Sequence, residues 1–102
     1  MIRGICLGTI SIDCKDAANL RNFYAELLGW ESCEMYDCPA LRGQNGLALL
    51  FMPADFEYEK PVWPEEPNAQ QKQMHFDFQV DDLLLAVSQA EALGALKSET
   101  QF

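Results

Sequence analysis

The chain has 102 residues, sixteen of them acidic and seven basic, for a net charge of −9. That length bounds it to a single domain with one core. The acidic surface, with no Lys/Arg cluster to offset it, excludes nucleic acid and anionic membranes as partners, and no apolar run approaches the ~20 residues needed to span a bilayer.

The N-terminal stretch MIRGICLGTISID lacks the long apolar segment and cleavage site of a signal peptide, so a cytoplasmic location is expected. A strand is predicted from Ile5 to Cys14. Thr9, Ser11 and Asp13 fall on one side of it and Ile10, Ile12 and Cys14 on the other, by the two-residue period. Cys6 shares the apolar phase, and Cys6 and Cys14 are both expected to act as small core hydrophobes. Asp16 supplies an N-cap oxygen. Leu20, Phe23, Tyr24, Leu27 and Leu28 then form one helical stripe that Gly29 closes.

Three shorter strands follow, at about Glu31–Tyr36, Ala40–Arg42 and Leu47–Met52. Asn45-Gly46, between the last two, suits the positive φ angles of a tight hairpin. Residues 1–52 thus read as one β-α-β-β-β module. From Pro53 to Gln73 four prolines exclude regular structure, and the segment is expected to be an irregular crossing. Its aromatics Phe56, Tyr58 and Trp63 either line an apolar pocket or pack the crossing loop. Its acids Glu57, Glu59, Glu65 and Glu66 read as a solvated surface.

A second unit opens with a strand predicted at Met74–Val80, with His75, Asp77 and Gln79 on one face and Phe76, Phe78 and Val80 on the other. Asp82 caps a second helix whose stripe is Leu83, Ala86, Val87, Ala90 and Leu93, and Gly94 stops it. A further strand is expected near Leu96. Thr9–Leu27 and His75–Leu93 therefore superpose as strand, aspartate and amphipathic helix, 66 residues apart. Two such copies imply two like modules in one domain, with the seam between them as the natural ligand site. Residues 74–102 form only part of a second module, about two strands short of the first. A partner chain or a longer product is expected to cover the gap, and a homodimer is the expected assembly.

The chemistry-bearing residues are few. With one histidine and no C-x-x-C pair, the four cysteines do not read as a structural zinc site. Cys33 and Cys38 either pair or stay reduced, the reduced state fitting a cytosolic protein. His75 is the best catalytic candidate, a donor or general acid/base with Asp77 alongside; otherwise it is a histidine satisfied by neighbouring strands. Its phase opposite Phe76 and Phe78 favours a cleft position. Asp13 and Asp77 are either paired carboxylates or polar residues of a solvated sheet face.

Two motifs carry a family resemblance. The segment DAANLRNFYAELLGWE resembles the D-x-x-x-x-x-x-F-Y-x-x-x-L-G signature of the glyoxalase/bleomycin-resistance/extradiol-dioxygenase superfamily, the vicinal oxygen chelate proteins. The segment MHFDFQVDDLLLAVSQAEALGA looks like the opening of that superfamily's second module, and the stretch Trp63-Pro64…Gln70–His75 resembles a W-P…Q-Q-x-H pattern of its glyoxalase-like branch, though here three residues rather than one separate Gln71 from His75. The resemblance implies an α+β fold, with two βαβββ modules forming a curved sheet around a cleft.

Metal-using members hold a divalent ion there, with ligands from the first and last strands of each module. Here the first position falls on Thr9, the last strand of module one offers no ligand, and His75 alone matches. The expectation is a glyoxalase-like domain that binds a small organic molecule in the cleft without a metal or other cofactor, for sequestration or acid/base chemistry. Thr9, Ser11, His75, Asp77 and Gln79 would make polar contacts, and Leu49, Phe51 and Trp63 apolar walls. The alternative is a divalent-metal-dependent lyase or dioxygenase whose ligands are completed by other strands or a partner chain. A third reading is an interaction module that pairs through its exposed sheet edge.

Overall fold

A computed structural model of the chain describes residues 1–54, 58–64, 66–70 and 74–99. Phe56, Glu57, Glu65, Gln71 and Phe102 lie outside the described residues. The fold is α+β, with two helices and a four-stranded mixed sheet among those residues. The chain divides into two compact units, Met1–Tyr58 and Glu59–Phe102.

The first unit contains β1 (Thr9–Cys14), α1 (Ala17–Leu28), β2 (Glu31–Met35), β3 (Cys38–Arg42) and β4 (Ala48–Pro53), the expected β-α-β-β-β order. The sheet order is β1-β4-β3-β2. β1 runs parallel to β4, while β4, β3 and β2 form an antiparallel meander. The caps of α1 are those its sequence calls for. Asp16 accepts a hydrogen bond from the Asn19 N–H at 3.1 Å, and Gly29, at φ 69°, donates to the Ala25 carbonyl at 2.9 Å. Leu20, Phe23, Tyr24, Leu27 and Leu28 are half-buried along one stripe. The Tyr24 ring stacks on Phe51 with centroids 5.9 Å apart, and Phe23 meets Tyr24 edge-on at 5.1 Å.

Three local differences have physical causes. β1 begins at Thr9 rather than Ile5, because β4 starts opposite it at Ala48, whose N–H donates to the Gly8 carbonyl at 2.9 Å as the last contact of that ladder. Ile5 and Leu7 are exposed, and so is Cys6, which is therefore not a core hydrophobe. Cys14, the other cysteine of that phase, is buried. Between β2 and β3, Tyr36 and Asp37 form a two-residue turn with φ of 53° and 61°. That turn ends β2 at Met35 and lets β3 start at Cys38, directly opposite. At Asn45 and Gly46 (φ 60° and 81°) the anticipated left-handed turn is present, but one extra residue sits in it, so Arg42 faces Ala48.

In the second unit, α2 (Leu83–Ala92) is capped by Asp82, which accepts from the Leu85 N–H at 3.0 Å, and Gly94 follows at φ 113°. Residues 74–80, predicted as a strand, carry no ladder among the described residues, and neither does the stretch around Leu96. The alternation of that predicted strand persists locally: His75 and Asp77 approach one another, and Phe76 meets Phe78 with ring centroids 6.0 Å apart. Ala86, Val87 and Ala90 of the predicted stripe are half-buried, whereas Leu83 is exposed. Every described residue in the buried core belongs to the first unit.

Candidate functional site

The two faces of the sheet follow from register and from the single helix packed on it. Phe51 lies against Tyr24 of α1, so the odd-numbered residues of β4 face the helix. Leu49 shares that face, with its antiparallel partner Leu41 and its parallel partner Ile10. Phe51 is 0% and Leu49 3% exposed. Both were expected to wall a ligand site; both are core residues beneath α1 instead, on the opposite side of the sheet from Thr9 and Ser11.

The face turned away from α1 carries Thr9, Ser11 and Asp13 on β1, with Ala48 opposite Thr9 and Leu50 opposite Ser11. Ala40 lies beyond Leu50 on β3. Ser11 and Asp13 are exposed and Thr9 is half-buried, while Ala48, Leu50 and Ala40 are all buried. Accessible hydroxyls thus adjoin an apolar strip in one register. Sequence reasoning missed this strip. Its signal lay in the register of β4, where a one-residue slip exchanges the two faces.

The donor set of this face does not fit the ion that the family resemblance implies. Thr9, Ser11, Ala48 and Leu50 offer two hydroxyls and two hydrocarbon groups where a divalent site needs about three imidazole, carboxylate or thiolate ligands. Asp13 is the one carboxylate on β1. Among the described residues, His, Cys, Asp and Glu nowhere gather in a group of three able to hold a metal.

The second unit holds the remaining expected residues. His75 Nε2 lies 3.6 Å from Asp77 Oδ1, with side chains 64% and 92% exposed. Solvent on both groups screens their attraction, so the carboxylate can orient a protonated imidazole only weakly. Trp63 is 45% exposed, on the proline-rich segment where the Val62 N–H donates to the Gln70 carbonyl at 3.0 Å. Gln79 borders a shallow, open groove of about 330 Å³ with Val80, Asp81, Asp82, Leu85 and Gln89. Two carboxylates on that rim disfavour an anionic ligand. The structure therefore brings Thr9 together with Ser11, and His75 together with Asp77, but separates Leu49 and Phe51 from the hydroxyls they were to accompany.

Burial raises the pKa of two groups in the first unit. The Cys14 thiol moves up from 9.0, chiefly by desolvation and then by the charges of Asp13 and Asp16. The Tyr24 phenol moves up from 10.0 by desolvation. Neither is poised as a nucleophile or base near neutral pH. No helix among the described residues is long and apolar enough to cross a membrane.

Residues 9–102 match a family described as Glyoxalase-like domain. Two solved structures are similar in fold. One, "Oxidase ChaP-H2", has a TM-score of 0.56 and 19% identity over 89% of this chain and 64% of that one. The other, integron cassette protein VCH_CASS1 from the mobile metagenome of V. Cholerae, has a TM-score of 0.56 and 19% identity over 92% of this chain and 71% of that one. The present chain thus spans just under two thirds of the oxidase's length. No curated protein matches it.

Proposed function

The chain belongs to the glyoxalase-like domain family, of the vicinal oxygen chelate superfamily, and from that premise we propose that it binds a small organic molecule without a metal. The observation that carries this reading is the β1–β4 face, where the hydroxyls of Thr9 and Ser11 stand beside the apolar strip of Ala48 and Leu50. Small-molecule sites are oriented by a few placed polar groups. In this reading the hydroxyls of Thr9 and Ser11 fix the ligand's orientation, while Ala48 and Leu50 beside them stay buried in the core. Within the second unit, His75 and Asp77 are the candidates for acid–base chemistry, and Gln79 and Trp63 the candidate contacts.

The donor set supports sequestration or acid–base chemistry over metal-centred catalysis. A cytoplasmic homodimer is part of the same proposal, and the acidic surface argues for a ligand that is neutral or cationic.

A library of neutral and cationic organic molecules, read by thermal shift on the purified chain, tests it. Ligands that raise the melting temperature should lose affinity by about tenfold with Ser11→Ala or Thr9→Val, the scale of one lost hydrogen bond. Leu49→Met, beneath the helix, should leave affinity unchanged. Stoichiometric Zn, Ni, Mn or Fe in the protein as purified, lost on His75→Ala, would defeat the metal-free reading. A library without any shift, alongside strong self-association, would defeat the ligand-binding reading in favour of an interaction module.

A further inference from the structure

The sheet face opposite α1 also gathers sulfur, at the end away from Thr9. Register places Cys33 opposite Ala40 and Met35 opposite Cys38, and all four share the face of Leu50, the partner of Ala40. Met52 lies two residues past Leu50 on β4, as Cys38 lies two residues from Ala40 on β3, so its thioether belongs to the same corner. Two thiols and two thioethers from three adjacent strands thus occupy one patch. Cys33, Cys38 and Met35 are half-buried and Met52 is exposed, so the patch is reachable but partly sheltered.

Both cysteines are free. They sit on the diagonal of the hairpin rather than directly opposite. Diagonal positions are about 7–8 Å apart, beyond the reach of an unstrained S–S bond of about 2.05 Å. Two sulfur–metal bonds of about 2.3 Å each span a wider gap than one S–S bond. Thiolate and thioether donors together are soft ligands of the kind that select monovalent copper, whereas thioethers add nothing for hard divalent ions.

We infer that Cys33, Cys38 and Met35 form a binding site for Cu(I), with Met52 at its rim. Binding releases the two thiol protons and leaves copper in its +1 state, so no oxidant or reductant is consumed. Its two thiols lie two (Cys38 on β3) and three (Cys33 on β2) strand spacings from β1, about 10–14 Å. It is distinct from the position that the family resemblance gives to a divalent ion, and it does not depend on the ligand proposed above.

The test is anaerobic titration of the full chain with Cu(I) against a chromophoric Cu(I) chelator. One copper per chain should be withheld from the chelator. Cys33→Ser or Cys38→Ser should abolish that retention, Met35→Leu should weaken it by about tenfold, and Cys6→Ser should leave it unchanged. X-ray absorption of the loaded wild-type protein, which needs no variant to fold, should show a nearest shell of sulfur only. Full surrender of copper to the chelator, retention unchanged in the Cys33→Ser/Cys38→Ser double variant, loss in Cys6→Ser, or a nitrogen/oxygen shell would each overturn the assignment.

Discussion

Gly43 shows how one missing side chain can set a packing contact. A Cβ built there would lie 2.6 Å from the Trp30 ring, although its backbone (φ −91°) is open to any residue. The indole occupies the space that a methyl group would need. Gly43→Ala is therefore expected to lower stability by about 1–3 kcal/mol, as overpacking does, measured by urea unfolding. Cys14 and Tyr24 carry the other residue-scale prediction. Their raised folded pKa values mean that burial favours the neutral forms. The stability linked to those shifts is complete below the unfolded values of 9.0 and 10.0 and is lost as pH rises through the folded ones. The unfolding midpoint should fall with pH above about 9, and Tyr24→Phe should flatten the upper part of that fall. A midpoint unchanged to pH 11 would contradict the assignment.

At the scale of elements, what sequence could reveal was whatever is local. Asp16, the Leu20–Leu28 stripe and Gly29 define α1 within one segment, and both caps form as read. Residues 74–80 show the limit. Their alternation is strand-like, but a strand exists through hydrogen bonds to a neighbour that no local pattern specifies. The faces of β4 were illegible for a related reason. One added residue in the Gln44–Gly46 turn decides whether Leu50 or Leu49 shares the face of Ala40, and hydrophobic residues at both positions leave the pattern silent. The Tyr36-Asp37 turn escaped notice because Tyr36, unlike Asp37, is not a usual occupant of the left-handed region. Tyr36 is 82% exposed, so its ring contributes little packing to offset that backbone cost. Tyr36→Asn with Asp37→Gly, the preferred pair for this turn, should stabilise the unit by about 0.5–1 kcal/mol. Unfolding at equal or lower denaturant would show that the turn is not strained.

Across the whole molecule, burial is unevenly shared. Phe51, Leu41, Leu49, Leu50 and their small neighbours form the core of the first unit, while the second unit's described leucines are largely exposed. Family membership was readable from two motifs, because those motifs carry the local signatures of cap and helix. Ligand chemistry was not, because it depends on which face of a sheet a side chain takes. Within the sheet, the ladders differ in the length of chain they close. The β4–β3 and β3–β2 pairs join neighbours, whereas Thr9 meets Ala48 across roughly forty residues. Closing that long loop costs entropy before any contact repays it. The meander should therefore organise first, and β1 should dock after the rate-limiting barrier. Ile12→Val is expected to speed unfolding while leaving the refolding rate nearly unchanged, and Leu41→Val to slow refolding, in stopped-flow measurements. The reverse pattern would refute this order of assembly. Since Thr9 and Ser11 ride on the late-arriving strand, a molecule gripped by them would prolong the lifetime of the finished fold without hastening its formation.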